Sequence, residues 1–147
     1  MAQPNVYEVT PVLETSILAD NDVFFVPIEI PQVFEKGLPR FLDSIVVLDG
    51  DDQNTDFDLV FSNATVTLGT LNSAVSISDA DAAKVIGATS MLAASHAFDL
   101  INSILFVKTG IGLVLKGTTN SLWVSGVVRS GTPTYTASGM KIRLGFR

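Results

Sequence analysis

Short apolar stretches rich in Val, Ile, Leu and Phe recur along the chain, each closed by a cluster of Gly, Pro, Asn, Asp or Ser. β-Branched and aromatic residues suit a pleated, half-buried surface and the closing residues suit tight turns, so this spacing dictates a strand-and-turn fold. The clearest segment is the last, where Met140, Ile142, Leu144 and Phe146 alternate with Lys141, Arg143, Gly145 and Arg147. A period of two puts the first set on a core face and the second on a cationic face. Val23–Ile30 is a further strand, and Pro27, which has no N–H for a ladder, restricts it to a sheet edge. Segments 44–48, 57–61, 103–108, 112–116 and 121–129 complete the set.

The intervening residues set the expected connections. The acidic stretch 49–56 reads as the turn of a hairpin between 44–48 and 57–61, and Thr118, Thr119 and Asn120 as a second hairpin loop. Residues 31–39, with Gly37, read as a loop, and Ser130-Gly131-Thr132-Pro133 as a turn. One short helix is expected at 79–86, with Ser78 as N-cap, Asp81 three positions on and Gly87 as C-cap. Residues 88–94 either extend it or form a second apolar segment. Gly126 and Gly145, inside strands, mark bulges or close backbone approach. Residues 1–22 carry Pro4 and Pro11 and follow no regular period, which reads as an extended arm or peripheral strand, poorly anchored and ordered only against a neighbour. Residues 23–147 then form a single β-rich domain. The expected fold class is mainly β: an antiparallel sandwich or barrel, jelly-roll-like, with one short helix.

A chain of 147 residues is long enough for one core. It contains no cysteine, so packing and association replace disulfides and thiolate metal sites. Residues 1–5 carry no basic side chain and precede no apolar run, so a secretory signal is not expected. No apolar run approaches the roughly 20 residues that span a bilayer. Charged residues make up 16% of the chain and mean hydropathy is +0.41, too little charge to cover a whole monomer with polar surface. Residues 1–81 carry 14 acids and two bases, whereas 82–147 carry seven bases and one acid, giving −12 against +6. Such halves either interleave in one sheet system and neutralise across strands, or meet between neighbouring subunits.

The residues offer little chemistry. The single histidine, His96, lies in an Ala-Ser-rich stretch with no Gly-x-Ser-x-Gly elbow anywhere in the chain, and reads as a packed or loop histidine. Gly110-Ile111-Gly112 is too short for a dinucleotide fingerprint. The acidic turn supplies Asp49, Asp51, Asp52, Asp56 and Asp58 as hard oxygen ligands, but its sixth position is Asn54 and its twelfth is Val60, where a calcium loop needs Gly and Glu. The acids therefore read as a solvated turn, with Asp49, Asp51, Asp52 and Asp56 as weak metal candidates. Lys141, Arg143 and Arg147 share a strand face that Arg129 adjoins. Three or four phosphate contacts without an aromatic platform, on a chain of net charge −6, do not make a nucleic-acid site. These four cations are candidates for contacts with a neighbouring subunit or another partner surface. The chain reads as a non-enzyme with no cofactor and no membrane or nucleic-acid partner.

Several stretches are distinctive together: Ser44-Ile45-Val46-Val47-Leu48-Asp49 with Asp51-Asp52-Gln53, then Phe57-Asp58-Leu59-Val60-Phe61, and Val75-Ser76-Ile77-Ser78-Asp79-Ala80-Asp81-Ala82 with Ile86-Gly87. Asp99-Leu100-Ile101-Asn102-Ser103, Gly131-Thr132-Pro133-Thr134-Tyr135, Ala137-Ser138-Gly139 and Leu144-Gly145-Phe146 complete them. In these stretches the chain resembles small structural proteins encoded among the head genes of tailed bacteriophages, which makes the capsid a further contact candidate for Lys141, Arg143, Arg147 and Arg129. The resemblance covers residues 44–147 and is loose over the first 43. It implies a capsid decoration, or cement, protein made in the host cytoplasm and carried on the virion surface. Its partner would be the major capsid protein, and the charge pattern adds a homo-oligomer, favouring a trimer. The alternative is a tail or baseplate β module that binds a host-surface glycan, which needs a groove lined with aromatics.

Overall fold

The structure, a computed structural model, describes residues 5–35 and 38–147. Among the described residues nine strands and two one-turn helices follow one another as β1 (Val6–Val9), β2 (Val23–Ile30), β3 (Arg40–Asp49), β4 (Phe57–Ser62), α1 (Asp79–Ala82), β5 (Val85–Met91), α2 (Ala93–His96), β6 (Ala97–Asp99), β7 (Ile104–Leu115), β8 (Leu122–Val128) and β9 (Met140–Phe146). They build two antiparallel sheets, five-stranded in the order β1-β9-β3-β7-β6 and four-stranded in the order β2-β8-β4-β5. The fold is thus mainly β, a two-sheet sandwich. Strands of the first half pair in reverse order with strands of the second, β1 with β9, β2 with β8, β3 with β7 and β4 with β5. With the three-residue β6 set aside as an addition, that is jelly-roll connectivity.

This connectivity accounts for the charge asymmetry. Each first-half strand lies beside a second-half strand, so the acids and bases meet inside the chain. Three ion pairs join an acid from 1–81 to a base from 82–147 through these pairings, Glu8 with Arg143 at 2.7 Å, Asp43 with Arg147 at 3.2 Å and Asp58 with Arg129 at 2.6 Å, while Asp81 with Lys84 at 3.1 Å is a local contact three residues apart. Glu8 and Arg143 stand directly opposite in the β1–β9 ladder. Like charges at such positions would disfavour the pairing, so the segregation favours the register.

Several expected connections differ. β3 and β4 do not form a hairpin: β3 lies between β9 and β7, and β4 between β8 and β5 in the other sheet. The stretch 50–56 therefore crosses between sheets, as does the segment around Thr118 to Asn120 that links β7 to β8. The expected strands 103–108 and 112–116 are one strand, β7, interrupted by a bulge opposite Leu42 and Ser44. Gly110 and Gly112 take up the bulge at φ +65°, a conformation open to glycine at little cost. The Ser78 cap forms as expected, its hydroxyl accepting the Asp81 N–H, but the helix stops at Ala82. Gly87 is not a C-cap; β-branched Val85 and Ile86 instead open β5, which pairs with β4. A second helical turn, 93–96, follows.

The core contains Phe24, Phe25, Phe34, Phe57, Phe61 and Phe106, and β9 adds Met140, Ile142, Leu144 and Phe146 as its alternation requires. Gly126 is needed for close approach, since a Cβ there would overlap the Phe25 and Phe24 rings. A smaller core of Val23, Val66, Leu68 and Val127 forms where the long β4–β5 connection folds over the outer face of the four-stranded sheet. Residues 5–22 are not a poorly anchored arm. β1 is an edge strand, Leu13 and Leu18 are buried, and the N–H groups of Leu13, Glu14 and Leu18 donate to the carbonyls of Ala137, Phe24 and Pro133. Apolar side chains too irregularly spaced for a strand still reach the core one at a time. Residues 36 and 37 of the expected 31–39 loop, and 1–4 of the amino-terminal segment, lie outside the described residues.

Candidate functional site

The acidic crossover is a hydrogen-bonded cap. Asp49 ends β3 facing inward, 1% exposed, and its two carboxylate oxygens accept the N–H groups of Asp51 and Gln53 at 2.9 Å each. Burial pushes its carboxyl above the usual range, while these bonds act the other way. The Asp51 carboxylate accepts the N–H and hydroxyl of Thr136, and Asp56 accepts the Ala93 N–H. Asp58 accepts from the Ser90 hydroxyl and the Arg129 guanidinium. Asp52 is exposed at φ +55°. Among the described residues no three acidic or histidine side chains converge as a metal site would require. The carboxylates instead brace the crossover, Asp49 within it, Asp51 to Thr136 of the β8–β9 connection and Asp56 to the start of α2. Asp49→Asn, which leaves only one acceptor oxygen for two N–H groups, is expected to cost about 1–3 kcal/mol in a denaturant titration.

The four candidate cations do not converge on one site. Arg143 on the outer face of β9 reaches Glu8, and Arg147, just past the end of that strand, reaches Asp43. Arg129 lies past the end of β8 and binds Asp58 and the Asn21 side chain. Lys141, also outward, forms no ion pair with a described residue, but its charge joins the Arg143 hydrogen bond in lowering the Glu8 carboxyl below its usual range. His96 uses its Nδ1 to accept the Leu92 N–H at 2.9 Å, so its ring lone pair caps a helical turn instead of activating a nucleophile.

The surface feature that composition did not locate is the turn between β6 and β7. Leu100 is 51% exposed, Ile101 80% and neighbouring Phe98 58%. Ile101 has φ +77°, a left-handed conformation that a β-branched residue rarely adopts. The Asp99 carboxylate holds it there by accepting the Ile101 N–H at 2.7 Å, and the Leu100 N–H donates to the Ser103 carbonyl. The result is a pinned apolar tip. An aspartate two residues before a turn was the available signal, since Asx turns use this bond. Nothing in the periodicity marks Ile101 itself. No family model and no curated protein matches this sequence.

Proposed function

We propose that this chain is a structural protein of a tailed-bacteriophage particle, a capsid decoration protein that binds the outer face of the major capsid protein lattice and reinforces it. The observation that carries the reading is the tip. A strained, solvent-facing Ile101 flanked by exposed Leu100 and Phe98 contributes nothing to the fold's own core, and strain of this kind persists where function requires it. An apolar anchor held rigid before contact loses little entropy on docking. Repeated over a shell, even modest anchors give firm attachment through multivalency.

Three further features support this reading. The jelly roll is an architecture used by capsid proteins as well as by lectin domains. The chain's low charge leaves apolar surface to be covered by a partner. A glycan-binding tail module would gather its tyrosines and tryptophan in one groove, but Tyr135 is buried, Tyr7 lies on β1 with its hydroxyl donating to the Gln32 carbonyl, and Trp123 is half-buried in the opposite sheet.

Ile101→Asn separates folding from binding. Asn tolerates a left-handed backbone, so the variant is expected to gain about 1 kcal/mol of stability. Its co-sedimentation with shells lacking the chain is expected to fall markedly. Wild-type shell binding by Ile101→Asn would remove the tip from the contact.

A further inference from the structure

The outer face of a sandwich sheet is ordinarily polar, since residues alternate between core and water along each strand. The five-stranded sheet departs from this at its centre. β3 and β7 turn Val46, Leu48, Leu105 and Val107 outward, and the register pairs Val46 with Val107 and Leu48 with Leu105, making a two-by-two aliphatic block. β9 places Arg143 beside Val46 and Lys141 beside Leu48. The outward charges on this face are Lys141, Arg143 and Arg147 against Glu8 and Asp43, three minus two, or +1. The whole chain carries −6, so the remainder carries −7.

We propose that this face is a docking surface for a second copy of the chain, met front to back. Two copies of a cationic face do not complement each other electrostatically, but the face complements the rest of the molecule. On the opposite side, the outer surface of the four-stranded sheet and its covering connection present Glu29, Asp58, Asp79 and Asp81 against Lys84 and Arg129, four minus two, or −2. A contact between different surfaces is heterologous, so it closes into a ring or continues as a filament. The aliphatic block supplies the buried centre of such a contact and Lys141, free of an ion pair with any described residue, its charged rim. The proposal goes beyond the particle reading and does not depend on it.

Sedimentation velocity on the full chain, over a range of concentration and salt, tests it. The wild-type chain is expected to self-associate, more weakly as salt rises. Leu48→Glu and Lys141→Glu are each expected to raise the dissociation constant about tenfold or more. Circular dichroism checks the fold of each variant, and if Leu48→Glu is misfolded, Lys141→Glu decides, since its side chain is exposed. A wild-type chain monomeric at every concentration, or a folded Lys141→Glu that associates as tightly as wild type, overturns the proposal. Shell binding is a separate readout: a self-associating chain that ignores shells refutes only the particle reading, and a monomer that coats shells refutes only this one.

Discussion

Deletion of residues 1–22 is expected to abolish cooperative unfolding, leaving a chain without a sharp thermal transition. The deletion removes the buried side chains of Leu13 and Leu18, each worth about 1.5–3 kcal/mol of burial, together with the β1 edge and the half-buried Tyr7 and Val9. Those losses rival the roughly 5–15 kcal/mol that separates a folded domain from its unfolded state. The Phe24 carbonyl and the Phe146 ring, which meet Glu14 and Tyr7, would be newly exposed. A truncated chain that melts like the full one, by near-ultraviolet circular dichroism and calorimetry together, would mean that the segment lies on the domain without supporting it.

Leu144→Ala is expected to destabilise the fold by about 2–5 kcal/mol, because the side chain is fully buried and its removal leaves a cavity between the sheets. Lys141→Ser combined with Arg143→Ser, on the opposite face of the same strand, is expected to cost no more than about 1 kcal/mol. Arg143 and Glu8 are both more than 40% exposed, and ion pairs in that setting contribute little. Equal losses in guanidinium titrations of the two variants would contradict the alternation seen in β9.

Strand identity was readable in the residues because burial on one face imposes a period of two, and β9 shows this without exception. Sheet membership was not. The acids of 49–56 are turn formers whether the chain returns beside itself or crosses to the other sheet, and the choice is set by which distant strand pairs with β3. The bulge at Gly110 and Gly112 resembled a strand break for the same reason, since glycine marks both. At 83–86 the local helical signal from Ser78 and Asp81 gave way to the pairing of Val85 and Gly87 with β4, a long-range contact outweighing a short capped turn. The opposed charges of the two halves could be seen from composition, and their meaning followed once the halves were known to pair in reverse order. The tip escaped because an isoleucine at positive φ runs against its own propensity.

The proposed function has this chain coating a phage head. Electron microscopy of the particle whose genome encodes it, at a resolution that places a sandwich of this size, is the decisive test. The prediction is many symmetry-related copies over the outer surface of the shell, with the 99–103 tip of each seated on major capsid protein. Density for the chain in a few copies at the tail vertex, or its absence from purified particles, would contradict it.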